Sequence, residues 1–539
     1  MTVGLVAVLF LVVVGGLIAL GVRAWRGRQD QDEGGGLDLI PYLVLALAVG
    51  IAGFSFAQLA RASLTPDQFT GRPTSQIAAS LAGLVVAGPI AYLLWRRQAR
   101  RRKAFPETPG WPVYLAIIEA VFLTAFFVVV GQLADALIST SISAKWTDLI
   151  VFGGIVAFHW WAERREPPHG DAGELPRLVG SAVALVSLAF GTIATLSWLL
   201  SEAYESIGGT VDVPEPAIPL ALTIAAIPVW AWRWLPAWDD ESSVFRNLYL
   251  SVVTSAALTI TIGAGVTIVA VLLTFLFGEA GPAASHFSSY PLAISILLIG
   301  GAIWMHHRRR LGSGRTGALR GYEYTMAAVG LAGLIGSAVG LINAAFEEQF
   351  AGTNTGEVLI VLGCTVIAAG AVWWWFWRKV QAAPREEEVR ALQRRIYLIG
   401  MTVATGLTAA GALIGALVVV FQALLGEGGD LSESLRFPLS LTVASGLAAW
   451  HLFNQLRHDA TSLGRAEVRP FSVTVVCSHP GNLAALFPEE ARTRVLYRGD
   501  DAGAVDDEMA AAIVAAVANR SSLVWVDEAG FRVAPARES

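Results

Sequence analysis

Trp373–Trp374–Trp375–Phe376–Trp377–Arg378–Lys379 closes an apolar run that begins near residue 356. Indole rings favour the headgroup level of a bilayer, and Lys or Arg just beyond an apolar run marks its cytoplasmic side. The stretch therefore reads as the inner end of a transmembrane helix. Five other runs end the same way. They are Tyr92–Leu–Leu–Trp95–Arg96–Arg97, His159–Trp160–Trp161–Ala–Glu–Arg164–Arg165, Trp230–Ala–Trp232–Arg233–Trp234, Trp304–Met–His306–His307–Arg308–Arg309–Arg310, and Trp450–His451 with Arg457 following. Twelve of the 18 tryptophans lie in these six endings, which a water-soluble core would not require.

Composition agrees. The 539 residues are 55% hydrophobic and 15% charged, whereas a soluble domain is about a quarter charged. Apolar runs near the length of about 20 residues that crosses a hydrocarbon core occur at 3–22, 39–60, 77–95, 112–138, 146–162, 178–201, 217–235, 247–277, 290–306, 322–346, 356–377, 396–425 and 437–456. The expected fold is an all-α polytopic membrane protein of about 13 transmembrane helices, arranged as tandem two-helix repeats, plus a small cytoplasmic α/β domain.

The net charge of −5 conceals a segregation. About 25 Lys and Arg follow odd-numbered runs and about four follow even-numbered ones, while Glu202, Glu205, Glu347, Glu348, Glu427 and Asp430 occupy the facing loops. The positive-inside rule then puts the N-terminus outside and the residues after 456 in the cytoplasm. The run at 3–22 lacks a preceding basic residue and is followed by Arg23, Arg26 and Arg28, so it reads as an uncleaved anchor. Cys364 in a run and Cys477 in the tail are not expected to pair. Abundant Arg and Ala with three lysines suggest a GC-rich bacterial genome, hence a bacterial plasma membrane.

The expected organisation is an anchor and linker at 1–37, a first hairpin at 38–103, further hairpins within 104–458 (112–165, 177–235, 246–310, 320–379 and 394–458) and a domain at 465–539. Most hairpins open on a tyrosine: Pro41–Tyr42, Tyr114, Arg246–x–x–Tyr249–Leu250, Arg320–x–Tyr322 and Arg394–x–x–Tyr397–Leu398. The copy at Arg177 carries Leu178 instead. Every hairpin runs in the same sense, so the repeats are parallel. Gly330, Gly333, Gly336 and Gly340, and Gly411 with Gly415, suit close helix packing. In the tail, Phe471–Cys477 and Arg492–Arg498 read as strands, Asp506–Val517 as a helix, and Ser522–Val533 as a hairpin.

The Arg–x–x–Tyr–Leu opening with a tryptophan-rich, arginine-capped return resembles the bacterial membrane family catalogued as domain of unknown function 5671. The resemblance covers about 112–458, is clearest at 246–310, 320–379 and 394–458, and excludes the tail. It implies a tandem array of helical hairpins and brings no catalytic residue.

Ionisable groups in hydrocarbon are functional candidates by default. Glu119 is the deepest acid, about 12 Å from Trp111 at 1.5 Å per residue. It could be protonated, bridge to a neighbouring helix, or bind a proton or cation. Gln132 and Asp135 follow on the same helix, and Asp148 suits a cap on the next. Asn343 and Gln422 suit interhelical hydrogen bonds. Trp95, Trp160, Trp161, Trp230, Trp232, Trp304, Trp373, Trp377 and Trp450, with Tyr249, Tyr322 and Tyr397, are the expected interface anchors. His159, His306, His307 and His451 suit polar anchors at the same level. Cys477–Ser–His479 offers too few ligands for structural zinc. The chain contains no phosphate loop, nucleophile elbow, HExxH or paired CxxC, and the basic loop after Trp95 sits where it would fix topology and touch anionic lipid. Neither a catalytic residue nor a cofactor is expected, the expected partners are the bilayer and a protein at the tail, and nucleic acid is not among them. A scaffold or sensor is the first functional reading, and a small-solute or ion carrier using Glu119 is the alternative.

Overall fold

A segment that crosses hydrocarbon must satisfy its own backbone, and a helix does so within one segment. The apolar runs among the described residues are helices in the computed structural model of the chain. The structure describes residues 39–64, 74–105, 108–139, 143–169, 172–208, 216–235, 243–278, 282–345 (without 313 and 315), 355–383, 385–426, 430–466, 471–478, 487, 491–497, 505–517, 522–527 and 530–535. The run at 3–22, the Gly34–Gly36 linker and His479 lie outside them.

The helices are α1 (Leu39–Leu64), α2 (Thr74–Ala104), α3 (Gly110–Ile118), α4 (Thr124–Ser139), α5 (Ser143–Arg165), α6 (Leu175–Glu205), α7 (Ala217–Trp234), α8 (Val244–Phe277) and a short α9 (Ala283–His286). There follow α10 (Tyr290–Arg310), α11 (Gly317–Ala345), α12 (Thr355–Gln381), a short α13 (Arg385–Arg390), α14 (Leu392–Leu424) and α15 (Leu431–Ala466). Helices α3 and α4 form one continuous rod through a π-helical turn, Glu119–Leu123.

Among the described residues, ten helices are long and apolar enough to cross a membrane. The sequence suggested thirteen. Besides the run outside the described residues, those at 146–162 and 437–456 form α5 and α15, both helical but outside the ten. Lys145 and Asp148 in α5, and Glu433 and Arg436 in α15, add charge to flanks where Trp, Gly and His already dilute the apolar content.

The described chain divides into two compact units, residues 1–383 with 405–446 and residues 384–404 with 447–539. In the first, α1 packs on α2, α3 and α5, while α6 packs on α7, α3 and α10. Helix α8 lies against α10, α11 and α12, and α11 against α12. One core runs through Tyr42 and Leu45 of α1, Tyr114 and Ile118 of α3, Phe122 of the π turn, Phe152 of α5, Val183 of α6 and Ala226 of α7. Close approach depends on glycine at the α11–α12 contact. A Cβ at Gly330 would sit 2.5 Å from the Trp373 amide nitrogen, and one at Gly333 3.2 Å from the Ala369 Cβ. Gly336 and Gly411 face open space, so only part of the small-residue pattern packs within the chain.

In the second unit, Arg394 at the start of α14 makes a two-pronged ion pair with Asp459 of α15, at 2.5 and 3.1 Å. Strands β1 (Phe471–Cys477), β2 (Ala491–Tyr497), β3 (Ser522–Asp527) and β4 (Gly530–Pro535) form a sheet in the order β2-β1-β3-β4, with helix α16 (Asp507–Val517) between β2 and β3. The first three strands are parallel and β4 runs antiparallel to β3. Val473, Val475, Cys477, Val524 and Val526 meet Ile513 and Val517 in a separate core. Period-two alternation leaves Leu523 and Trp525 on the other face, 39% and 45% exposed.

Candidate functional site

Glu119 opens the π turn, a backbone device that recurs at functional positions in helices. It is 2% exposed and forms an ion pair with Arg233, which sits in the last turn of α7 and is 5% exposed. Trp160 of α5 donates its indole N–H to Glu119 Oε1 at 3.0 Å. One turn further along α5, Glu163 Oε2 accepts from Arg233 Nη2 at 2.7 Å. Arg177 of α6 donates from Nε to the Arg233 carbonyl at 3.0 Å, and the charges of Arg177 and Arg164 also act on Glu163. Four helices thus meet at one charged cluster.

Aromatic rings wall it. The Trp160 and Trp232 rings lie edge to face at 4.3 Å, and the Arg233 guanidinium stands 5.5 and 5.1 Å from their centroids. Arg164 covers Trp232 from 4.8 Å. Gly180 on α6 makes room for the ion pair, because any side chain there would run into Glu119 Oε2 and approach Arg233 Nε to 3.1 Å. Neither of those two atoms has a hydrogen-bond partner among the described residues. Buried charges survive only when paired and hydrogen-bonded. Here two carboxylates meet a set of guanidinium groups, so the cluster holds no surplus of negative charge.

The other sequence candidates fall elsewhere. Gln132 is exposed and accepts from Lys145 Nζ at 2.7 Å. Asp135 is exposed as well. They lie roughly 20 and 24 Å along the rod from Glu119, so the three do not form one site. Asp148 does not serve as a helix cap. It is 1% exposed and forms a two-pronged ion pair with Arg61 of α1, Nε reaching Oδ1 at 3.2 Å, because α1 packs along α5. Asn343 does bridge helices, donating to Ser440 Oγ of α15 at 2.9 Å. Gln422 is exposed.

The expected anchors divide into two sets. Trp161 and Trp450 are exposed, at 52% and 65%. Trp95, Trp160, Trp230, Trp232, Trp304 and Trp373 are half-buried. Trp377 and the tyrosines Tyr249, Tyr322 and Tyr397 are buried, so these side chains pack inside the protein rather than facing headgroups. Their hydroxyls and rings find partners there: Tyr249 Oη pairs with Ser181 Oγ at 3.0 Å, and Trp304 Nε1 donates to Tyr322 Oη at 3.1 Å.

Two of the histidines are also buried, not interfacial. The His159 Nδ1 lies 2.8 Å from the Ile155 carbonyl and its Nε2 lies 2.7 Å from Tyr114 Oη, with the Trp95 ring edge-on at 5.9 Å. His307 repeats the carbonyl contact and the ring packing, while its Nε2 has no hydrogen-bond partner among the described residues. Its Nδ1 is 2.9 Å from the Ile303 carbonyl, and its ring lies 5.0 Å from Trp234 and 6.1 Å from Tyr249. A tryptophan from one hairpin therefore packs with a tyrosine and a histidine of the next. In the sequence, Trp377, Tyr397 and His451 stand at the matching positions of the last pair of hairpins.

A family model described as a domain of unknown function, DUF5671, matches residues 38–145, 174–299 and 320–447. Together these cover about two thirds of the chain. The chain belongs to the DUF5671 family. Each DUF5671 match starts at the first helix of an odd-numbered hairpin and continues into the hairpin after it. The family unit is thus longer than a single hairpin, and the six hairpins pair into three copies. The resemblance accordingly extends to the first hairpin, at residue 38. The tryptophan and tyrosine of each set fall inside a DUF5671 match, whereas His159, His307 and His451 lie beyond the matched residues. Neither a curated protein nor a solved structure matches the chain. Among the described residues, no group of three or more His, Cys, Asp or Glu side chains could hold a metal.

Proposed function

We propose that this integral membrane protein is a scaffold. Its repeated hairpins form a packed platform, and its C-terminal α/β domain meets a protein partner in the cytoplasm. The observation carrying this reading is the state of Glu119. A carrier needs a polar site that solute or ion can reach, whereas Glu119 is clamped by Arg233 and Trp160 inside a filled core. An intramembrane pair of this kind does the work of joining helices. The segregation of arginines supports a cytoplasmic tail and an N-terminus outside, and the residue usage supports a bacterial plasma membrane. No reaction is assigned to the protein, and no nucleic-acid partner.

The exposed Leu523 and Trp525 on the open face of the sheet supply an apolar contact surface. The test is crosslinked co-purification of the full chain from native membranes, comparing wild type with a Leu523→Asp/Trp525→Ala variant. The scaffold reading expects a protein recovered with wild type and lost with the variant. Equal recovery refutes the assigned role of this face. Proton- or solute-coupled uptake in proteoliposomes that is abolished by Glu119→Gln would establish the carrier instead.

A further inference from the structure

Helices α8, α11 and α12 leave a groove of 340 Å³ between them. Ile262, Val266, Met326, Val329, Val361 and Val372 supply most of its walls, and Gly263, Gly330 and Gly333 widen it. Three threonines also line it, but each hydroxyl is occupied by its own helix. Thr259 donates to the Ser255 carbonyl at 2.8 Å, Thr267 to Gly263 at 3.1 Å and Thr365 to Val361 at 2.8 Å. Among the described residues, no charged side chain lines it. A polar solute would lose its hydration there with little in return.

All three helices belong to the set long and apolar enough to cross a membrane. The apolar window of α12 has no buried residue, so this wall of the groove faces the surrounding medium. For a membrane-embedded helix that medium is lipid hydrocarbon. The groove follows α8 from Thr259 to Val271, a rise of roughly 18 Å, comparable with one leaflet of a core about 30 Å thick.

We infer that this groove binds one acyl chain of a membrane lipid, held between α8, α11 and α12. Such a chain fills the gap between helices that glycine keeps open, restoring contacts that a void would forfeit. The site lies apart from the Glu119 cluster and from the tail, so it does not depend on the scaffold reading.

Gly263 gives a clean test, because a Cβ there meets nothing within 4 Å and a larger side chain enters the groove without collision. The full chain is reconstituted with phosphatidylglycerol carrying a diazirine at mid-chain, irradiated, and the adducts are mapped. Exposed Val85 and Val86 on α2 report ordinary boundary lipid. Adducts at Val266, Val329 and Thr365 should exceed those at the α2 positions. Gly263→Leu should lower the groove adducts about tenfold, the change expected when about two methylene groups lose their contacts, and leave the α2 adducts unchanged. Gly263→Ala controls for backbone effects and should keep at least half the labelling. Equal labelling at both places, labelling indifferent to Gly263→Leu, or crosslinks between two copies through the groove would each overturn the assignment.

Discussion

Replacing Arg233 by methionine tests whether the charged cluster holds the first helices together. The change keeps most of the side-chain volume and leaves Glu119, 2% exposed, without its cation. Glu163 loses its 2.7 Å contact at the same time. Removing one partner of a buried ion pair costs about 3–5 kcal/mol, because the other charge stays behind in a poorly solvating site. At about 2–4 °C per kcal/mol, the unfolding midpoint should fall by roughly 10 °C. The assay heats detergent-solubilised protein and follows the monodisperse fraction by size exclusion. The informative variant is Arg233→Met combined with Glu119→Gln, which neutralises both members of the Glu119–Arg233 pair. It should recover more than half of the loss, whereas independent effects would add. A single variant that melts with wild type, or a double variant at least as unstable as the sum, would refute the argument.

Three smaller predictions rest on individual contacts. Gly330→Ala should separate α11 from α12 and destabilise by about 1–3 kcal/mol, while Gly336→Ala, facing open space in the same helix, should stabilise by up to about 1 kcal/mol in the same melts. Asp148→Asn should weaken the α1–α5 contact by about 3 kcal/mol, read as earlier proteolysis of the first hairpin, and loss of Arg61 alone should do likewise. Tyr114→Phe should cost about 1–3 kcal/mol, since it leaves His159 Nε2 buried without its hydroxyl partner, and the matched Tyr92→Phe on the exposed surface should be silent in thermal melts.

The Glu119 cluster shows where reading the chain stops. That Glu119 is an unusual acid follows from its neighbours Ile117, Ile118, Ala120 and Val121. That Arg233 answers it does not, because Arg233 looks like one more interfacial cation among Trp232 and Trp234 and lies far along the chain. Arg61 reads only as one of the few basic residues that follow an even-numbered apolar run. A sharper signal was present in the histidines. His159, His307 and His451 recur at about 145-residue intervals, and each follows one of Tyr114, Tyr249 and Tyr397 by about 45 to 58 residues. Grouped in pairs, the hairpins already carry the period of the family matches.

A bilayer acts on each segment locally. Helix length, apolar composition, terminal tryptophans and arginine asymmetry are therefore written in contiguous residues, and they suffice to place the helices and their repeats. The tail strands are equally local, through alternation and turn residues. Side-chain partnership is different. Tyr249, Tyr322 and Tyr397 have the composition of interface anchors, yet neighbouring helices bury them. Whether a polar group meets lipid, water or another helix depends on which surfaces face each other across more than a hundred residues. Packing alone brought Glu119 to Arg233 and Asp148 to Arg61, and left the apolar groove between α8, α11 and α12 open.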